Sequence, residues 1–185
     1  MKRIFLIRHG LPDFPEGKRM CLGRTDLPLS REGRAQAEQM AAGLPPVTAV
    51  FSSPLSRAVQ TAQAIRPDVT VLEGLRELDA GDWDGLTFEQ IRTRYPELFA
   101  ARGNNPHLPL PNAEEAAAGL ERFSSAMDEA AAKAAGDFAV VAHGGVIGLF
   151  LQALGLPRRK PAYAEVISLL WDNGKYWVLE ENNYA

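Results

Sequence analysis

The sequence predicts an α/β fold: a three-layer sandwich whose central sheet is mostly parallel and carries helices on both faces. Three observations support this. Short apolar runs alternate with longer stretches of helical composition along the chain, and such alternation implies a parallel sheet. Two of those runs, Ile4-Phe5-Leu6-Ile7 and Phe138-Ala139-Val140-Val141-Ala142, have no polar alternate, as strands buried on both faces require. The chain has 185 residues, enough for one domain with a sizeable core.

Arg3 to Ile7 is the first strand. Leu11 to Leu29 mixes Pro, Gly and charge without a period and reads as a long loop, a length that is usually functional. Ser30 caps a helix that continues through Gly33 to Met40, and Gly43-Leu44-Pro45-Pro46 stops it. Val47 to Phe51 is the second strand. Ser52-Ser53-Pro54 turns it into a helix from about Leu55 to Ile65, with the proline near the first turn. Val69 to Leu72 is the third strand. Arg76 to Leu86 is a polar loop, Phe88 to Tyr95 is helical until Pro96, and Asn104 to Pro111 is irregular. Ala113 to Ala135 is rich in Ala and Glu. Leu120, Phe123 and Met127 recur there at helical spacing, so it reads as an amphipathic helix rather than low complexity. Phe138 to Ala142 is the fourth strand, followed by a helix from Gly145 to Leu154. Ala164 to Trp171 and Tyr176 to Glu180 form a final hairpin around Asp172-Asn173-Gly174. No repeat or linker divides the chain, so residues 1–185 are expected to form one domain.

Lys plus Arg total 20 and Asp plus Glu total 23, a net charge of -3 with no tail of one sign. A nucleic-acid binder would carry a basic face, so that class is excluded. The apolar run after Met1-Lys2-Arg3 is too short for a signal peptide, and no stretch could span a membrane. A lone cysteine, Cys21, cannot close an intrachain disulfide, and a cytoplasmic, reducing location is expected. The three histidines and Cys21 are too scattered for metal-ligand spacing. Asp79, Asp82 and Asp84 read as a solvated loop rather than a divalent-metal site. Neither metal nor cofactor is expected.

In a parallel sheet, ligands bind beyond the carboxyl ends of the strands. The first strand ends in Arg8-His9-Gly10, the second in Ser52-Ser53-Pro54 with Arg57 one turn on, and the fourth in His143-Gly144-Gly145. Two imidazoles and two guanidiniums therefore converge on one sheet edge. A phosphate monoester, nearly a dianion at neutral pH, suits them. Arg8 and Arg57 offer planar forks to phosphate oxygens. Gly10, Gly144 and Gly145 allow close backbone approach, and the helix from Leu55 adds its N-terminal dipole. His9 is the candidate nucleophile, since an imidazole is largely neutral at pH 7 and needs no separate base. Its second ring nitrogen is expected to donate to a backbone carbonyl in the Gly10 loop. His143 would act as a cation or donor on the equatorial oxygens. A leaving alkoxide needs a proton, and spacing leaves Glu77, Asp79, Asp82 and Asp84 all open.

Plainer readings stand beside these. His9 and His143 could be structural, and Arg8 and Arg57 could be ion-pair partners. Lys18, Arg19 and Arg24 are either solvated or grip a second anionic group. His107 reads as surface, and Trp83 as loop packing before substrate stacking. Cys21 has no partner base and is not expected to be a nucleophile.

The motifs together resemble the histidine phosphatase superfamily, the phosphoglycerate-mutase-like family. The resemblance rests on Leu6-Ile7-Arg8-His9-Gly10, on Gly23-Arg24-Thr25-Asp26-Leu27-Pro28-Leu29-Ser30 with Gly33 and Gln36-Ala37, and on Phe51-Ser52-Ser53-Pro54-Leu55-Ser56-Arg57-Ala58 with Gln60-Thr61-Ala62. Leu75-Arg76-Glu77 with Gly81, Trp83 and Gly85, and Val140-Val141-Ala142-His143-Gly144-Gly145, complete it. The resemblance implies a phosphoglycerate-mutase-like fold and a phosphohistidine at His9. It implies phosphate binding by Arg8, Arg57 and His143, with Gly10 and Gly144 beside them, and proton donation by Glu77. The acid loop looks more like the phosphatase branch, including alpha-ribazole-phosphate phosphatases, than the mutase branch. The expected partner is a small phosphorylated metabolite, such as alpha-ribazole phosphate or a sugar or nucleotide phosphate. Cys21, Leu22, Gly23 and Arg24 are candidate substrate contacts, and a homodimer is a candidate assembly. Leu11-Pro12 and Pro15 stand where many members carry Glu-Thr and an Asn. Pro111-Asn112-Ala113-Glu114-Glu115 replaces the common Pro-x-Gly-Glu-Ser, so specificity is expected to differ. A mutase-type phosphotransferase and a non-catalytic phosphoryl-binding module are the alternative functions.

Overall fold

In the computed structural model, which describes residues 1–179, six strands form one sheet. They are β1 (Lys2–Arg8), β2 (Ala49–Ser52), β3 (Val69–Val71), β4 (Phe138–Ala142), β5 (Val166–Asp172) and β6 (Lys175–Val178). Their order is β3-β2-β4-β1-β5-β6. The first four are parallel, and β5 and β6 add an antiparallel hairpin beside β1.

The apolar runs make this a three-layer structure. β1 alternates faces: Ile4 and Leu6 join one core, Phe5 and Ile7 the other. The first core is closed by α5 (Ala116–Lys133) and α6 (Gly144–Ala153), through Phe123, Met127, Val146, Ile147 and Phe150. The second is closed by α1 (Arg31–Gly43) and α2 (Ser56–Ile65), through Met40, Ala58 and Ala62. No helix among the described residues is long and apolar enough to cross a membrane.

Two elements differ from the sequence expectation, and the final hairpin turns where it was expected. Helical structure does not stop at Pro96: α3 (Phe88–Arg94) breaks at Tyr95, and α4 (Pro96–Asn104) follows with the proline at its first position. A proline there loses no intrahelical bond, because that N–H has no partner anyway. The segment predicted helical from Ala113 begins only at Ala116, since the Ala113 and Glu114 amides donate to Leu110 and Asp79 carbonyls. The hairpin turns at Asn173 (φ 48°) and Gly174 (φ 80°), the left-handed pair that a two-residue turn needs. Its predicted end, Glu180, lies outside the described residues.

The long loop from Leu11 to Leu29 is tied at both ends by glutamines. Leu11 N–H donates to Gln36 Oε1 at 2.9 Å and Leu29 N–H to Gln60 Oε1 at 2.7 Å. Ser30 caps α1 by accepting the Gly33 amide at 3.0 Å, and its hydroxyl donates to Leu11 O at 3.1 Å. The backbones of Gly10-Leu11 and Gly33 therefore touch. A Cβ on Gly33 would collide with the Leu11 carbonyl, and one on Gly10 with the Gly33 carbonyl. Gly33→Ala is expected to destabilise the protein by about 1–3 kcal/mol, as overpacking does. Urea unfolding reads this, and an unchanged midpoint would show that the contact is slack.

Candidate active site

Strand register places the two histidines together. β1 and β4 pair Arg8 with Ala142, so the next residues, His9 and His143, stand side by side at the carboxyl ends. Their ring centroids are 5.0 Å apart. β2 pairs Ser52 with Val141, which brings Ser53 to the same level. Ser53 Oγ lies 2.7 Å from His143 Nε2.

The His9 tautomer follows from its partner. His9 Nδ1 is 2.7 Å from the Gly10 carbonyl oxygen, which can only accept, so Nδ1 carries the proton and Nε2 keeps its lone pair. This is the contact expected from the sequence. Ser53 Oγ accepts the Leu55 amide at 3.3 Å. Its hydroxyl can in turn donate to His143 Nε2, an arrangement in which His143 Nδ1 carries the N–H. Burial, then the positive charge of Arg57, holds His9 well below the ordinary imidazole value. Burial, then neighbouring His9 and Arg57, does the same to His143. Both shifts favour the neutral ring over the cation.

Arg57 is only 1% exposed. Its Nη1 donates to Thr25 O at 2.9 Å and its Nη2 to Gly23 O at 3.3 Å. Arg8 is 8% exposed. Its Nη1 donates to Pro161 O at 2.6 Å, and its guanidinium carbon lies 3.8 Å from the Tyr163 ring centroid. Burial opposes the charge of both guanidiniums, lowering their pKa. Among the described residues five buried side-chain nitrogens have no protein partner; three of them, Arg8 Nε, Arg57 Nε and His143 Nδ1, lie on the four convergent residues, and the others are the indole nitrogens of Trp83 and Trp171.

Glu77 is buried beside them and caps α6. Its Oε2 accepts the Gly145 amide at 2.8 Å, and its Oε1 accepts Val146 at 2.8 Å and Leu78 at 2.9 Å. The other acid-loop carboxylates are anchors. Asp84 accepts the Gly23, Arg24 and Thr25 amides, and Asp79 pairs with Arg24 at 3.1 Å. Asp82 accepts from Asn112. No group of three potential metal ligands forms among the described residues.

The glycines act differently from the sequence expectation. The Gly10 amide donates to Thr61 Oγ1 at 3.0 Å, so it is engaged within the fold rather than offered to phosphate. The Gly145 amide serves Glu77. A Cβ on Gly145 would lie 2.7 Å from Glu77 Oε1, and one on Gly144 would lie 2.6 Å from Lys160 Cγ and 3.0 Å from Arg8 Nε. The missing side chains thus make room for the charged groups.

Of the candidate substrate contacts, Gly23 is buried with its amide on Asp84 and its carbonyl on Arg57. Cys21 bonds the backbone of Gly85 and Leu86, and burial pushes its thiol up to about 11, so it is no ready nucleophile. Leu22 is half-buried and Arg24 is exposed. His107 is exposed. Trp83 is buried against Tyr95 and Phe99.

Sequence reasoning missed several positioning residues. Arg122, on α5, donates to Gly74, Arg76 and Glu77 carbonyls and pairs with Glu114 at 2.6 Å, stitching down the acid loop. Its place on the helix resembles any solvated arginine. Lys160 and Tyr163 follow α6 in a segment with no period or motif.

A model of the histidine phosphatase superfamily (branch 1) matches residues 4–184. Phosphoglycerate mutase-like protein 4 of Arabidopsis thaliana is 33% identical over 155 residues, covering 78% of this chain and 67% of that protein. The native structure of a mycobacterial glucosyl-3-phosphoglycerate phosphatase is 30% identical with a TM-score of 0.77, covering 91% of this chain and 89% of that one. The alpha-ribazole phosphatase of Shigella flexneri shares the fold at a TM-score of 0.81, with 24% identity, 99% of this chain and 97% of that one covered.

Both imidazoles are buried neutral, and this links folding to pH. Below the ordinary imidazole value of 6.5, the unfolded chain takes up protons that the folded chain refuses. Stability is therefore complete above that value and falls as pH drops below it, by at most about 2.7 kcal/mol per pH unit for two rings. Denaturant unfolding without phosphate should show a lower midpoint near pH 5.5 than near pH 7.5. Equal midpoints would contradict the burial of neutral rings.

Proposed function

The chain belongs to the histidine phosphatase superfamily, and from that we propose that it hydrolyses small phosphomonoesters through a phosphohistidine at His9, without a metal ion. The observation that carries this reading is the pair of rings 5.0 Å apart, flanked by three buried nitrogens without partners. Arg8 Nε, Arg57 Nε and His143 Nδ1 are donors, and a phosphoryl group brings the acceptor oxygens and negative charge they lack. The 30% identical glucosyl-3-phosphoglycerate phosphatase supports the hydrolytic branch.

The steps follow from the hydrogen bonds. His9 Nε2 attacks phosphorus as the Gly10 carbonyl holds the Nδ1 proton and the emerging imidazolium charge. The ester P–O bond breaks, and its electron pair leaves on the alcohol oxygen, which takes a proton from Glu77. Glu77 Oε2 accepts one amide and Oε1 two, so Oε2 is the oxygen with room to carry that proton. Water then attacks the phosphohistidine, giving its proton to Glu77. The N–P bond breaks, phosphate departs and His9 is neutral again. His143 and the arginines stabilise the equatorial oxygens throughout.

Steady-state hydrolysis of 4-nitrophenyl phosphate should persist in EDTA and fall by at least about 10³-fold in a folded His9→Ala protein. Loss of activity in EDTA, or an active His9→Ala protein, would refute the mechanism.

A further inference from the structure

Glu77 is gripped at both ends, by two different helices. Its carboxylate accepts amides in the first turn of α6, at Gly145 and Val146. Its backbone carbonyl accepts Nη2 of Arg122, on α5, at 2.9 Å. The same guanidinium donates from Nη1 to the Gly74 and Arg76 carbonyls, each at 2.8 Å. It also meets Glu114 as a two-point fork, Nε to Oε1 at 2.6 Å and Nη2 to Oε2 at 2.7 Å. Glu114 Oε2 in turn accepts the Asp79 amide at 3.2 Å, and the Glu114 amide donates to the Asp79 carbonyl at 3.1 Å. The pair therefore holds the chain at Gly74, Arg76, Glu77 and Asp79, on both sides of the acid.

This differs from a solvated surface ion pair. The two side chains are 16% and 14% exposed, and the hydrogen bond from Arg122 holds the Glu114 carboxyl below its ordinary value. A forked, charge-assisted contact fixes geometry as well as charge. The loop also lies flush on α5. A Cβ on Gly74 would come within 2.8 Å of Arg122 O and Ala126 Cβ, and the Leu78 side chain fills the space that a Cβ on Gly119 would take. Phe123, the residue after Arg122, packs edge-on against Phe150 of α6, with ring centroids 5.3 Å apart. The helix that grips the acid's backbone is thus locked to the helix that grips its carboxylate and follows His143.

We propose that Arg122, held by Glu114, is a positioning residue for leaving-group protonation: it fixes the Glu77 backbone so that the carboxyl meets the departing oxygen. This rests on the phosphatase reading above. As the ester P–O bond breaks, its electron pair leaves on the alcohol oxygen, and Glu77 supplies the proton. The groups assigned to the phosphoryl oxygens are anchored elsewhere, Arg8 at Pro161, Arg57 at Gly23 and Thr25, and His143 at Ser53. Loosening the acid loop therefore penalises the proton transfer and spares the phosphoryl contacts. A 4-nitrophenolate departs without a proton, whereas an alkoxide needs one.

The test is the ratio of kcat/KM for 4-nitrophenyl phosphate to that for benzyl phosphate, taken on one sample so that the folded fraction cancels. Arg122→Met should raise this ratio by about 30-fold, as displacing an acid by a fraction of an ångström or more does. Arg122→Lys keeps the charge without the fork and should raise it by about three- to tenfold. Glu77→Gln should raise the ratio by itself, and adding either Arg122 substitution to it should change the ratio by less than about twofold, since both act through one carboxyl. Where Arg122→Met does not fold, the Arg122→Lys ratios decide. An Arg122 variant that loses rate equally on both esters, or a further full rise in the Glu77→Gln background, would show a purely structural role and overturn this inference alone. An unchanged ratio in Glu77→Gln would overturn it together with the proton donor. Hydrolysis of neither ester by the unsubstituted protein would overturn the phosphatase reading itself.

Discussion

Buried nitrogens left without hydrogen-bond partners are the constraint on which the site depends. Arg57 is 1% exposed and His143 fully buried, yet each keeps a nitrogen with nothing to bond. Burying a cation is unfavourable unless it is paired and hydrogen-bonded. The fold tolerates it because carbonyls of the chain take the outer nitrogens of both arginines, at Gly23, Thr25 and Pro161. What remains unpaired is one nitrogen on each of Arg8, Arg57 and His143, the donors the proposed mechanism assigns to phosphate. The two imidazoles meet the same burial by staying neutral, which leaves His9 with the lone pair a nucleophile needs.

The rest of the chain holds these groups in place. Thr61 bonds the Gly10 amide and returns its hydroxyl to the Arg57 carbonyl, coupling β1's loop to α2. Asp26 accepts the Ser56 amide and hydroxyl, capping α2 from the long loop. Asp84 binds three consecutive amides whose neighbouring carbonyls hold Arg57. Glu77 joins the acid loop to the helix that follows His143. Few of these residues touch a ligand in the proposed mechanism. They fix distances, and reaction rates are sensitive to such distances.

Much of this was legible because strands and caps leave local signals. The apolar runs named β1 and β4, and parallel register then brought His9 beside His143 without further assumption. Ser30 read as a cap and is one. The Gly10 carbonyl contact followed from the need to fix a tautomer. Pro96 misled because a proline that ends one helix can begin another, and composition does not separate the two. Gly10 and Gly145 suggested phosphate contacts because small residues permit any close approach; here the approach is to Gly33 and to Glu77. Arg122 and Lys160 were invisible for a different reason: the carbonyls that Arg122 stitches together lie 45 or more residues away in sequence, and Lys160 has no side-chain partner among the described residues. Spacing of neighbours carries no trace of them.

The most direct measurement is a rapid quench into base after mixing with an aryl phosphate labelled on phosphorus, followed by peptide mapping. The account predicts a single phosphoryl group on the peptide containing His9, stable to base and released by acid. Label on another residue, or full turnover with no protein-bound phosphoryl at any time point, would contradict it.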